Sequence, residues 1–359
     1  MSEYVILVLM IAVPGLFYAP RASRRLDGQP VTQVRHFEKI HLFICGAYML
    51  YLLAFRGVFS TDYNNYNIIF NTIAAMRDPM ELLRYDDVEI GYTLLNKLVS
   101  LFTGDFRYVI IVCAVITLLP MFRLTDYSPY AWVSLFIYVV IGAYFQAFNV
   151  IRQMMSASIF TLAIPYLYRD EKRKYFLIVL LAATFHMTAL IMIPCFFLIR
   201  FSQKKLKIWQ YVLIYGLLSG SIAGMYFMYQ ALLKGLSLVA SEKTTVYTLQ
   251  NILINLVLVA GSIILYLKGR AKEKPTMEMN ITFAGLLMWG LASALSTEIS
   301  YAIRISSFFL PFAMLALPMQ LARVENKSQR TLLLLLIVAA GLFFFIRYSF
   351  GSTSWVSGW

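Results

Sequence analysis

The chain has 359 residues, 60% of them apolar, 16% aromatic and only 14% charged, with a mean hydropathy of +0.71. No single soluble domain has enough interior for that much apolar side chain, so a water-soluble globule is excluded and a polytopic helical membrane protein is expected. The formal net charge of +13 would suggest nucleic acid in a soluble protein. Here the basic residues fall in short loops between apolar runs, where they serve as orientation signals, and no nucleic-acid partner is expected.

In chain order, apolar runs suited to roughly 30 Å of hydrocarbon lie near residues 4–18, 40–55, 106–122, 131–145, 151–168, 208–228, 246–267, 281–295, 305–322 and 331–346. The first run has no basic residue before it and meets Arg21, Arg24 and Arg25 after it, which predicts an uncleaved span with its N-terminus outside. Residues 131–168 are too many for one crossing, so a turn is expected between Phe145 and Ile151, although no glycine or proline marks it there. The run 175–199 is flanked by Arg169, Lys172, Arg173 and Lys174 on one side and by Arg200, Lys204, Lys205 and Lys207 on the other. A single crossing would push one basic cluster outside, and a short hairpin with both ends cytoplasmic removes the conflict. About two thirds of the 31 lysines and arginines then lie inside, with both termini outside and about a dozen membrane passes, the hairpin counting as two.

The pattern predicts one membrane-embedded domain over 1–359. Its largest segment outside the spans is an outer loop at about 56–105. Within it Tyr63, Tyr66, Ile69, Phe70 and Ile73 recur at helical spacing, as do Ile90, Leu94, Leu95 and Leu98, predicting two amphipathic helices at the outer interface. Cys45, Cys113 and Cys195 stand singly in apolar runs and read as packing residues.

Under this topology several polar residues converge on the outer side. Arg152 opens a span, with Asn149 and Gln153 on what reads as the same helical face. An arginine at membrane depth costs roughly 2.5–3.5 kcal/mol unless something compensates it, which makes it a functional candidate. Arg56 begins the outer loop and could instead be snorkelling. Asp62, one turn before Tyr66, and Glu89 could be catalytic acids, solvated loop acids or helix caps. Arg304, with Glu298 and Tyr301 upstream, could be a ligand or half of a structural ion pair. His186 falls at the hairpin tip, as a catalyst or as a structural histidine. The run of Asp86, Asp87 and Glu89 has no histidine beside it and reads as a solvated acidic turn, so no metal is expected. Three arginines on one side, with few acids to neutralise them, suit a dianionic group, because guanidinium presents a fork matched to phosphate oxygens. Aromatic and apolar surface around them suits sugar rings and a lipid tail.

The segments Phe55-Arg56-Gly57-Val58, Thr61-Asp62-Tyr63 with Tyr66, Glu89-Ile90-Gly91-Tyr92, Asn149-x-x-Arg152-Gln153, Phe185-His186-x-x-Ala189-Leu190 and Tyr301-x-x-Arg304 resemble, in order and spacing, the EpsG/Wzy-like family of bacterial polysaccharide polymerases. Phe59 and Ser60 stand where that family usually has a second glycine before the Thr-Asp-Tyr. The resemblance implies an all-α, GT-C-like membrane glycosyltransferase without a cofactor. It would join undecaprenyl-diphosphate-linked oligosaccharide units into O-antigen or exopolysaccharide, with its active site outside the bacterial cytoplasmic membrane. Arg152, Arg304 and Arg56 are the expected diphosphate ligands, with Asn149, Gln153, Tyr63, Tyr66 and Tyr301 in support. His186 is the expected general base, since histidine titrates near pH 6.5, with Asp62 and Glu89 as rivals. The expected partners are the lipid-linked oligosaccharide, membrane lipids and a chain-length-regulating co-polymerase. A flippase for the same lipid-linked sugars, or a glycan ligase, is the alternative.

Overall fold

The computed structural model describes residues 2–18, 36–56, 62–205, 257–269, 274–295 and 300–351, and every regular element among them is helical. Helices α1 (Ser2–Tyr18) and α2 (His36–Ala54) pack side by side, and α1 carries Pro14 in its interior. Proline has no N–H to donate, so the Met10 carbonyl one turn earlier loses its helical partner. From α2, His41 Nε2 lies 2.7 Å and Cys45 Sγ 3.7 Å from that oxygen. A carbonyl only accepts, so Nε2 carries the proton and Nδ1 accepts from the Tyr18 hydroxyl, 2.6 Å away. His41 and Cys45 thus repair a helix.

The segment between α2 and residue 106 folds as α3 (Tyr63–Ala75), α4 (Pro79–Arg84) and α5 (Ile90–Ser100), matching the two amphipathic patterns in its sequence. Tyr66, Phe70 and Ile73 of α3 meet Tyr92 of α5 in a small core shared with Phe106, Ile151 and Met155. Lys97 Nζ on α5 donates to the carbonyls of Ala74 and Met76 at 3.2 and 2.6 Å, closing the C-terminal end of α3, whose last carbonyls have no helical donor.

Four further helices form the centre: α6 (Arg107–Thr125), α7 (Ala131–Val140), α8 (Ala143–Gln146) and α9 (Ile151–Thr161), followed by the short α10 (Ile164–Arg169). Every residue of α7 is buried, yet its length is only about 15 Å at 1.5 Å per residue. The turn expected between Phe145 and Ile151 is formed by residues 147–150, between α8 and α9, and a second break precedes it. Helix α7 ends at Val140, and Gly142 takes φ +82°, a left-handed backbone that glycine adopts without penalty.

Helix α11 (Lys172–Ala183), a 3-10 turn (Met187–Ile191) and α12 (Met192–Lys205) build a hairpin whose tip is Thr184 to His186. The Tyr175 hydroxyl donates to Met192 O at 2.9 Å between the arms. At the base Arg200 Nη2 pairs with Asp170 Oδ2 at 2.8 Å, so the segment starts and finishes at one level. With about 18 Å of rise, α11 by itself is too short for a crossing.

The chain continues through α13 (Val257–Gly269), α14 (Met277–Leu295), α15 (Ser300–Leu321) and α16 (Lys327–Gly351). Helices α14 and α15 form the most extensive pair, and α15 also packs on α7 and α9. Pro318 in α15 repeats the effect of Pro14: the Met314 carbonyl accepts instead from Ser134 Oγ of α7 at 2.8 Å. Among the described residues four stretches are long and apolar enough to cross a membrane: His36–Ala54, Arg107–Thr125, Arg304–Leu321 and Lys327–Ile346. Glu3–Tyr18, Ala131–Val140, Met187–Arg200 and Val257–Gly269 are apolar but shorter. The expected span at 208–228 and the first half of that at 246–267 lie outside the described residues. Leu332, Leu336 and Phe343 are exposed along α16, a face that suits lipid rather than water.

Candidate functional site

Helix α5, the hairpin tip and the start of α9 meet at one carboxylate. Glu89 occupies the N-cap position of α5 but makes no side-chain cap bond. Its Oε2 instead takes Nη1 of Arg152, the second residue of α9, and its Oε1 lies 2.7 Å from Nδ1 of His186 and 3.2 Å from the backbone N–H of Met187. Three separate stretches of chain are joined by this group, and its side chain is only 17% exposed. Burial opposes ionisation of Glu89, but the hydrogen bond from His186 and the charge of Arg152 outweigh it and hold the carboxyl at about 2. An ionised carboxylate can only accept, so Nδ1 of His186 is the protonated nitrogen. Nε2, the nitrogen that holds the lone pair in a neutral imidazole, is buried and without a hydrogen-bond partner among the described residues.

A close backbone approach makes this possible. The Gly91 N–H donates to the Thr184 carbonyl at 2.7 Å. A Cβ on Gly91 would stand 2.5 Å from Thr184 Oγ1 and 2.7 Å from that carbonyl oxygen, so only glycine lets α5 reach the hairpin tip. Ser156 Oγ on α9 donates to Ala182 O at 2.7 Å, fixing the other side of the tip.

Around this centre, Tyr66 lies against Arg152 and stacks edge-on with Tyr92 at 5.7 Å. Burial pushes its phenol above the usual range, with Arg152 opposing. Arg56 is buried, 9% exposed; its Nη1 donates to Ala147 O at 2.8 Å and its guanidinium lies 5.8 Å from the Phe148 ring. That geometry differs from snorkelling, in which the charged head stays in water. Among the described residues Arg56 has no carboxylate partner, and it acts electrostatically on Tyr66 and Tyr92.

The remaining candidates divide. Gln153 is buried and turns away from Arg152, donating Nε2 to Ser307 Oγ of α15 at 2.8 Å. Asn149 lies in the turn before α9 and so shares no helical face with Arg152. Arg304 is exposed one turn before Ser307, which puts it at the same end of the bundle as Arg152. Tyr301 belongs to the first turn of α15, and Glu298 lies outside the described residues. Asp62 sits half-buried at the N-cap of α3 without a side-chain cap bond, and Tyr63 packs on the Phe106 ring at 5.3 Å. Asp86 and Asp87 are exposed, whereas Glu89 of the same acidic run turns inward. Sequence reading missed Thr184, Ser156 and the buried setting of Arg56. Only Gly91, directly after the Glu89-Ile90 pair, carried a local signal of the close approach.

The EpsG family model matches residues 39–357. No curated protein and no solved structure matches the chain.

Proposed function

The chain belongs to the EpsG family, and from that premise we propose that it is a membrane glycosyltransferase. In this reading it polymerises oligosaccharide repeat units carried on undecaprenyl diphosphate, on the outer side of the bacterial cytoplasmic membrane. Family membership and the apolar helices support polysaccharide biosynthesis at a membrane. The reading of about a dozen passes and a GT-C-like architecture belongs to the same proposal.

The observation that carries the chemistry is the bond from His186 Nδ1 to Glu89, which directs Nε2 of the neutral imidazole to the role of proton acceptor. An acceptor sugar hydroxyl attacks the anomeric carbon of the donor while its proton passes to Nε2. The carbon–oxygen bond to the diphosphate breaks, and the electron pair leaves on that group. Diphosphate is a good leaving group, so cations that hold its growing charge suffice, without an acid to protonate it. Arg56 supplies charge not offset by a carboxylate among the described residues, Arg152 adds a fork partly engaged by Glu89, and Arg304 lies at the same end of the bundle. Glu89 is then a positioning residue, because both its oxygens are already engaged.

Incubating the purified protein in detergent with lipid-diphosphate-linked repeat units tests this. A ladder of lengthened glycans is expected, lost in His186→Ala. Translocation of the lipid-linked sugar in liposomes with no lengthening would make it a flippase, and transfer of glycan only to a different lipid would make it a ligase.

A further inference from the structure

A cavity of about 790 Å³ lies away from the Glu89–His186 centre, between α7, α13, α15 and α16. Its long wall runs along α16 from Gln329 to Phe344, about 22 Å at helical rise, and is lined by side chains such as Ile264, Leu333 and Ile337. One end differs in chemistry: Lys268, Arg323, Glu325, Asn326 and Gln329 close it around the turn joining α15 to α16. There Gln320 lines the cavity, 2% exposed, with Oε1 lacking a hydrogen-bond partner among the described residues. A buried acceptor of this kind calls for a donor.

The position of that end is set by α15. Arg304 begins the membrane-crossing stretch Arg304–Leu321 at the end carrying the Ser307–Gln153 bond, and Arg323 follows it at the other. The polar end of the cavity therefore lies on the membrane face opposite the Glu89–His186 centre. Lys268 and Arg323 there outnumber Glu325, and Lys327 and Arg330 follow within the next turns of chain.

We propose that this cavity holds an anionic glycerophospholipid with a hydroxyl-bearing headgroup, of the phosphatidylglycerol class, drawn from the leaflet opposite the Glu89–His186 centre. The apolar wall takes an acyl chain, Lys268 and Arg323 face the phosphate, and a headgroup hydroxyl donates to Gln320. The assignment rests on the amphiphilic shape and charge of the cavity and holds whether or not the polymerase reading is right.

Gly261 supplies the test. It lines the cavity, and a Cβ built on it meets nothing within 4 Å, so Gly261→Leu fills the apolar part without disturbing packed protein and favours the helix. The readout is the melting temperature of the purified full chain titrated with phosphatidylglycerol, phosphatidylcholine or glycerol phosphate, together with lipid retained in native mass spectra. Phosphatidylglycerol is expected to raise the wild-type midpoint and to stay bound. Gly261→Leu should lose both effects with its lipid-free midpoint unchanged or higher, and Lys268→Gln should weaken phosphatidylglycerol several-fold. Equal effects of phosphatidylglycerol and phosphatidylcholine, an equal shift with glycerol phosphate alone, or full retention by Gly261→Leu would each overturn the assignment.

Discussion

The Glu89 carboxylate meets Nδ1 of His186 at 2.7 Å across 97 positions of sequence. It brings α5 onto the hairpin tip, and its second oxygen takes Arg152 at the start of α9. One ionised group therefore sets the tautomer of a histidine and the position of an arginine together.

Glu89→Gln keeps the size of the side chain but removes the charge that fixes Nδ1–H. The rate of glycan lengthening is expected to fall by about 10²- to 10⁴-fold, with the protein still monodisperse in detergent. Retention of full activity would remove Glu89 from the machinery. The loss should appear mainly in kcat, since Glu89 positions the base and is not proposed to bind the sugar.

Stability should depend on the same group in acid. The native carboxyl is held at about 2, below its ordinary value of 4.5, so as pH falls the unfolded chain takes up the proton first. The contribution of Glu89 is therefore complete above about pH 5 and is lost on acidification toward pH 2, with a ceiling of about 3 kcal/mol. Thermal melts of wild type and Glu89→Gln from pH 7 to pH 3 should draw together, with about 2 kcal/mol of the difference gone by pH 3. Parallel curves would mean that the ion pair adds nothing to folding.

Gly91→Ala places a methyl group 2.5 Å from Thr184 Oγ1 and 2.7 Å from its carbonyl oxygen. Backbone cannot yield as a flexible side chain does, so a cost of about 1–3 kcal/mol is expected. Moving Glu89 away from His186 should also lower the rate by about 10²-fold, although Gly91 carries no reactive group. Gly104→Ala, where nothing lies within 4 Å, is the control and should behave as wild type.

Arg152 and Glu89 should be coupled in folding. A cycle of Arg152→Met, Glu89→Gln and the double variant, followed by denaturant unfolding, is expected to give an interaction energy of about 1–3 kcal/mol. Additivity within about 0.5 kcal/mol would mean that the two side chains act independently.

Much of the architecture was legible because it is periodic. The amphipathic patterns within 56–105 became α3 and α5, and the paired basic clusters around 175–199 gave a hairpin with His186 at its tip. Arg152 and His186 stood out because each is a polar group where apolar neighbours raise the cost of leaving it alone, whereas Glu89 sat in an acidic run that read as a solvated turn. What spacing could not give was direction. Gln153 beside Arg152 points to α15, Asn149 falls before the helix begins, and Glu89 faces inward while Asp86 and Asp87 stay exposed. These choices depend on partners far along the chain. The turn expected between Phe145 and Ile151 is present at residues 147–150, and the break at Gly142 is an additional one upstream of it.

The carbonyls released by Pro14 and Pro318 carry a consequence for how the protein is made. Met10 finds its replacement donor on His41, 31 residues later in the chain, whereas Met314 finds one on Ser134, 180 residues earlier. The first helix therefore emerges from the ribosome with a bare oxygen that hydrocarbon penalises, and it should linger beside the insertion machinery until its neighbour arrives and the two enter the bilayer as a pair. The later helix finds its partner already waiting.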